Sequence, residues 1–411
     1  MSQTNTAAPS QAASQLRSAM VNALLTDGTI TTPSVERAFL TVPRHLFLPA
    51  ETSLEGAYAP YRPVELTDAR KPVALASPPP SASVAARRIE QAQLHPGMTV
   101  AEIGTDGLNA ALLAEIVGPG GHVISTDTDT HVLDRARRQL AATGYDDQVT
   151  LLRADRHDTL PALGRAADVI LVTDLARSIP AGWLVQLAAD GRLVLPLQLG
   201  PVTATVAFVR DRDHLTSTSV TLPDLLPFHT DAGPGGRVVA LAEYGGDLTL
   251  VPDVEAEQWG SASLAVDDEA IVWTDVVRDR YAFAELYLWL ACWLPSFRLL
   301  SLLFGPGTRE WQPFGAAGVW SHAYLVAESC DGGFRFGAHP DGPKAAAALT
   351  AEIRRWDDTT RHTLHPTYAY WLTGTSRPPA DETSAVVATR HGEAVIHWPP
   401  MLSPRRRAEA G

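Results

Sequence analysis

The sequence predicts an α/β protein, a doubly wound and mostly parallel sheet, followed by an additional C-terminal α+β domain. Three observations predict it. Between Thr99 and Pro196, short apolar runs alternate with segments of helical period. That βαβα order needs crossover helices, which cover both faces of a parallel sheet and leave its strands apolar throughout. Beyond about Pro201 the runs alternate apolar and polar positions, the period of antiparallel strands. From about Asp247 a separate unit begins, rich in tryptophan and tyrosine.

Taken in order, residues 1–15 are mostly Ser, Thr, Ala, Gln and Pro, and are expected to form a disordered tail without a secretion signal. Leu16 to Ala50 reads as helices, around Met20 to Leu25 and from Ser34 to Leu40, stopped by Pro43 and Pro49. The chain is then irregular as far as Ala76-Ser-Pro-Pro-Pro-Ser81, before a helix from about Ser83 to Leu94. Strands are expected at Thr99–Ile103, His122–Thr126, Val149–Arg153, Asp168–Thr173 and Gly191–Pro196, with helices at Asn109–Val117 and Thr130–Thr143. Thr203–Arg210 and Leu215–Thr221 form an antiparallel pair. The last unit holds helices near Tyr281–Trp293 and Pro343–Arg361, aromatic strands near Val319–Ala327 and Gly333–Gly337, and a closing strand Glu393–Trp398. The expected domains are 16–235 and 247–400, with a tail at 401–411.

A chain of 411 residues suits two domains, and 45% apolar with 19% charged residues is a globular balance. A formal charge of −13 argues against nucleic acid or an anionic membrane as partner, since both require clustered basic surface. The apolar stretch Tyr287–Leu294 is too short to span a bilayer. Cys292 and Cys330 cannot build a zinc site or a disulfide framework alone, so no metal and a reducing cytoplasm are expected.

The chemistry concentrates in Ala101-Glu-Ile-Gly-Thr-Asp-Gly-Leu-Asn-Ala-Ala111, where a strand ends on an acid, a glycine turn follows and a helix begins. Gly104 and Gly107 let the backbone approach a ligand, and the helix N-terminus offers free N–H groups. Asp127 ends the next strand, where ribose hydroxyls are gripped. Asp155 follows the third strand, where it can accept from an adenine amino group. Singly, such acids are more often caps or loop residues; in this order they describe an adenosyl pocket. Asp106 inside the loop repels a pyrophosphate but tolerates a sulfonium, so S-adenosylmethionine is expected rather than NAD.

The segment Val35-Glu-Arg-Ala-Phe-Leu-Thr-Val-Pro-Arg-His-Leu-Phe-Leu-Pro49 resembles the N-terminal signature of protein-L-isoaspartate O-methyltransferases. The likeness continues through Glu102–Thr105, Asp155, Val172-Thr173, Ile179-Pro180 and Gly191–Pro196. It implies a class I methyltransferase, Rossmann-like fold over roughly residues 16–235. The shortened glycine loop, together with Leu286–Leu290, Ile353–Asp357, Arg390-His391 and Trp398–Pro400, is similar to one branch, the actinobacterial FxLD-system enzymes found with lanthipeptide gene clusters. The candidate cofactor set is Glu102, Gly104, Thr105, Gly107, Asn109, Asp127, Thr128, Asp155, Arg156 and Thr173. The resemblance also implies a loop serine that meets the substrate carboxylate, with Ser77 the first choice and Ser81 the second. His45 is expected to be structural.

The function implied is O-methylation of an aspartate side chain in a ribosomally made precursor peptide, macrocyclised beforehand, leading through succinimide to isoaspartate. Two other readings stand beside it: repair of isoaspartyl residues in damaged proteins, and a binding or scaffold homologue without activity. The aromatic residues Trp289, Trp293, Trp311, Trp320, Tyr324 and Trp356 are candidates to receive a peptide, although aromatics at such density are usually core. The oligomeric state is open.

Overall fold

The sheet forms where the sequence carries its uninterrupted apolar runs. The computed structural model describes residues 7–61, 81–154, 160–200, 202–222, 237–241, 246–250, 271–279, 282–294, 297–298, 301–302, 314–318, 321–331, 333–340, 343–363 and 365–400. The chain divides into two compact units: Met1–Leu197 with Thr205–Ser219, and Gln198–Ala204 with Val220–Gly411.

In the first unit the strands are β1 (Thr99–Ile103), β2 (His122–Asp127), β3 (Val149–Arg153), β4 (Ala167–Val172), β5 (Leu187–Leu199), β6 (Val202–Asp211) and β7 (His214–Thr221). Their order is β7-β6-β5-β4-β1-β2-β3. β1 is parallel to both β2 and β4, with Ile103 opposite Thr126 and Val172. β3 and β5 continue the parallel arrangement outward. All five residues of β1 are buried, the acid Glu102 among them. The chain winds outward in opposite directions from β1, and the carboxyl ends at such a switch point are where open α/β sheets bind ligands.

The helices of this unit are α1 (Ala7–Thr26), α2 (Pro33–Thr41), α3 (Leu54–Ala57), α4 (Ala82–Ala92), α5 (Leu108–Val117), α6 (Thr130–Thr143) and α7 (Ala181–Gln186). Because α1 begins at Ala7, part of the stretch expected as a disordered tail is helical. Ala13, Met20, Val21 and Leu24 bury one side of it, which offsets the entropy of ordering a polar segment. In α2, Pro33 supplies the first-turn φ, and Val35, Ala38 and Phe39 are buried at helical spacing. The Glu90 carboxylate of α4 binds the start of α2, accepting from the backbone N–H groups of Thr31 and Thr32 at 2.9 Å each. α5 is buried on nearly every side, from Leu108 to Val117. β5 starts at Leu187, earlier than the expected Gly191, with an irregular register against β4.

The second unit is built from β8 (Arg237–Leu241), β9 (Gly246–Leu250), β10 (Val272–Arg278), α8 (Ala282–Trp293), β11 (Phe297–Arg298), β12 (Ser301–Leu302), β13 (Phe314–Gly318), β14 (Ser321–Cys330), β15 (Gly333–Pro340), α9 (Pro343–Thr360), β16 (Thr367–Leu372), β17 (Ser384–Thr389) and β18 (Gly392–His397). Within it run β10-β15-β14-β13-β11, β12-β9-β8 and the antiparallel set β17-β18-β16. Trp289 and Trp356 are fully buried. Trp289 packs edge-on against Trp398 at 4.9 Å between centroids, and Trp356 against Phe336 at 6.1 Å. These two are therefore core, not ligand-facing. Trp293 is half-buried beneath the Arg355 guanidinium at 4.2 Å. Trp311, Trp320 and the Tyr324 side chain lie outside the described residues. Among the described residues no helix is long and apolar enough to cross a membrane, and no His/Cys/Asp/Glu group could hold a metal.

Candidate active site

The site is assembled at the carboxyl ends of β1, β2 and β4. After Ile103 the chain turns at Gly104, whose φ of +87° is a left-handed conformation that glycine adopts without a Cβ clash. The Gly104 and Thr105 N–H groups both donate to the Thr126 carbonyl, at 2.9 and 3.2 Å, which pins the turn to the end of β2. From the other side the Thr173 hydroxyl donates to the Ile103 carbonyl at 3.0 Å and to that of Gly104. The turn then closes on itself: the Gly107 N–H donates to Thr105 Oγ1 at 3.1 Å, and the Asn109 N–H to Asp106 Oδ1 at 2.9 Å. Asp106, just before the Gly107 N-cap, therefore satisfies a first-turn N–H of α5, a structural use beside the electrostatic one read from the sequence.

Glu102 is fully buried. Ser125 donates to its Oε2, while Oε1 has no hydrogen-bond partner among the described residues. Burial, reinforced by the charges of Asp106 and Asp127, holds this carboxyl well above the usual carboxylate range, against the Ser125 and Thr105 hydroxyls. Asp106 is also raised by burial, opposed by the Asn109 N–H and the Arg44 charge. Asp127 ends β2, where its Oδ1 accepts from the Asp129 N–H at 2.8 Å. Thr128 follows it, half-buried. The structure thus brings together Glu102, Gly104, Thr105, Gly107, Asn109, Asp127 and Thr173; Asp155 and Arg156 lie outside the described residues.

Of the two candidate serines, Ser77 lies outside the described residues. Ser81 is buried and caps α4, its Oγ accepting from the Val84 N–H at 3.4 Å and sharing a 3.0 Å hydrogen bond with Ser83. That geometry gives Ser81 a folding role and disfavours it as a substrate contact. His45 bonds the Tyr58 hydroxyl at 2.8 Å. Burial and the Arg17 charge lower its pKa, as suits a structural imidazole. Sequence reasoning missed Arg44, Arg88 and Asp174. Arg44 is buried, and its Nε donates to the Ala57 carbonyl at 2.9 Å. Arg88 Nη1 donates to the Thr173 carbonyl at 3.0 Å. Asp174 directly follows Thr173, and an acid just past an apolar strand is the signal that singled out Asp127.

A family model, that of the protein-L-isoaspartate(D-aspartate) O-methyltransferases (PCMT), matches residues 14–223. The chain belongs to this family. Curated relatives include the protein-L-isoaspartate O-methyltransferases of Ignicoccus hospitalis and Hyperthermus butylicus. The first is 33% identical over 183 residues, spanning 44% of this chain and 82% of that protein. The second is 31% identical over 245 residues, spanning 57% and 95%. Among solved structures, a protein-L-isoaspartate O-methyltransferase covers 92% of this chain and 98% of its own at 19% identity, with a TM-score of 0.46. A Plasmodium falciparum structure titled as a putative family member, in complex with S-adenosyl-L-homocysteine, covers 51% and 95% at 14% identity, with a TM-score of 0.42.

As a PCMT-family protein the chain is an S-adenosylmethionine-dependent carboxyl O-methyltransferase with the class I methyltransferase fold. The residues present fit that cofactor. A Cβ built on Gly104 would lie 2.6 Å from Thr173 Oγ1 and 2.7 Å from the Asp174 carboxylate, so only a bare glycine lets these side chains pack on the turn. Glu102 Oε1 is a buried carboxyl oxygen with no hydrogen-bond partner among the described residues, a polar atom that a bound ligand can satisfy. The acids Glu102, Asp106 and Asp127 suit a ligand bearing a sulfonium and an ammonium rather than one bearing a pyrophosphate.

Proposed function

We propose that this PCMT-family enzyme esterifies an aspartate side-chain carboxylate in a ribosomally made, macrocyclised precursor peptide. The cofactor supplies a methyl group on positively charged sulfur, already electrophilic. The peptide carboxylate is already a nucleophile at neutral pH, so the protein needs no general base. Its residues have to bind, orient and exclude water. In this reading Asp127 holds the ribose, Asp155 the adenine, Gly104 and Gly107 the amino-acid part, and Ser77 the substrate carboxylate. After esterification, the next backbone nitrogen attacks the ester carbonyl, methanol leaves, and water opens the succinimide partly to isoaspartate.

One observation carries the substrate assignment. The family match ends at residue 223, and the chain continues through a second unit with sheets and core of its own. A methyl-transfer sheet is complete without it, and substrate selection is the natural reason for it to exist. A ring-constrained peptide also loses less entropy on docking than a linear one. The alternative, repair of isoaspartyl residues, is favoured by a different observation: about 183 aligned residues already span 82% of the Ignicoccus hospitalis enzyme. Mass spectrometry of the full chain with a cyclised aspartyl peptide, its linear form and a linear isoaspartyl peptide separates the two. Tailoring requires methyl gain, methanol loss and return to the starting mass on the cyclic peptide. A preference for the linear isoaspartyl peptide decides for repair.

A further inference from the structure

The loop after β4 carries an apolar side chain and a cation at the carboxyl end of the sheet. From Leu171 to Ala176 the chain takes five steps where its partner β5 takes three, from Val194 to Leu197. The excess is thrown out of the sheet as a bulge, and the bulge is pinned. The Thr173 N–H donates to the Ile103 carbonyl and the Ala176 N–H to that of Pro196, at 2.9 and 2.8 Å. Ile179 beyond it is fully buried. Ala176 is buried as well, whereas Leu175 and Arg177 on either side of it face solvent, Leu175 at 46% exposure. An exposed leucine by itself is ordinary. Its place is not: Asp174, the residue before it, lies on the Gly104 turn.

Methyl transfer to a carboxylate sets an electrostatic problem at this corner. The anion has to approach past Asp127 at the end of β2 and Asp174 just beyond β4, on a chain of formal charge −13. Arg44 and Arg88 are buried, and their charges are answered by Asp106 for the first and by Asp174 and Asp106 for the second. A serine hydroxyl donates a hydrogen bond but brings no charge. Arg177 is exposed, and its guanidinium forms no hydrogen bond or ion pair among the described residues. Three residues of chain, at most about 10 Å, separate it from Asp174. We propose that Leu175 and Arg177 form the substrate-reading rim of this site. The Arg177 guanidinium receives one oxygen of the acceptor carboxylate and leaves the other free to attack the methyl group. Leu175 receives an apolar side chain next to the acceptor in the substrate. The proposal rests on reading this corner as the site of carboxyl methyl transfer, and it holds for a cyclic or a linear acceptor alike.

The test uses the full chain and whichever of the cyclised aspartyl, linear aspartyl and linear isoaspartyl peptides the wild type methylates best. Its counterpart carries a side-chain amide in place of the acceptor carboxylate. Steady-state methylation gives KM and kcat, and calorimetry with S-adenosylhomocysteine bound gives the affinity of both peptides. Arg177→Met keeps the apolar stem and is expected to raise KM about 3- to 10-fold with kcat within about twofold, an effect between an exposed ion pair and a charged hydrogen bond. Affinity for the amide counterpart should stay within about twofold of wild type, since the charge that Arg177 meets is gone. Arg177→Lys should recover part of the loss. Leu175→Ser should raise KM about 3- to 10-fold when leucine flanks the acceptor, and by less than about twofold when serine does. Equal weakening of the acidic and amide peptides, no weakening of either, a Leu175→Ser effect blind to the flanking residue, or a fall in S-adenosylhomocysteine affinity overturns the proposal while leaving the methyltransferase reading intact. If the wild type methylates none of the three peptides, both fall.

Discussion

Gly104→Ala tests the architecture of the turn directly. At φ +87° an L-residue pays about 1–2 kcal/mol for the left-handed conformation. The new methyl would also stand 2.6 Å from Thr173 Oγ1 and 2.7 Å from the Asp174 carboxylate, well inside ordinary contact distance. Thr173 cannot easily retreat, because its N–H and hydroxyl both donate to the Ile103 carbonyl, at 2.9 and 3.0 Å. Overpacking of this kind costs about 1–3 kcal/mol. The sum is a loss of roughly 2–5 kcal/mol, read by urea unfolding as a lower midpoint at unchanged slope. Gly28→Ala is the internal control: its φ is +74°, but nothing lies within 4 Å of the added methyl. It should show the conformational cost alone. If Gly104→Ala is no more destabilising than Gly28→Ala, the Thr173 and Asp174 side chains are not packed on the turn.

Two further outcomes follow from the site. The Glu102 pKa is raised from 4.5 by burial, so the folded state binds its proton more tightly than the unfolded state. Its contribution is complete below about pH 4.5 and is lost as pH rises through the folded value. Glu102→Gln, neutral throughout, should flatten the fall of stability above about pH 4.5, and an unchanged slope in urea titrations would remove Glu102 as its source. Ser81→Ala should cost about 1 kcal/mol through loss of the α4 cap, with kcat on the preferred peptide unchanged. A drop in kcat at constant stability would return Ser81 to the substrate side.

The sequence by itself determined the parallel sheet, the glycine turn and the order of its acids. A run such as Val169–Val172 is apolar because both sheet faces are covered, and that constraint is local enough to read residue by residue. β10 was not legible, because Val272–Arg278 mixes buried with exposed positions and carries charge. Ser81 illustrates the same limit at one residue, since a serine before a helix reads equally as a cap or as a ligand contact. Only the tertiary structure decided that Arg88 reaches Thr173, 85 positions away, or that Asp174 lies on Gly104. An arginine on an amphipathic helix is ordinarily solvated, and nothing in its neighbours along the chain says otherwise. Where its charge ends up depends on how the intervening strands and crossover helices place α4 beside the end of β4, because burial and pairing are set by neighbours in space.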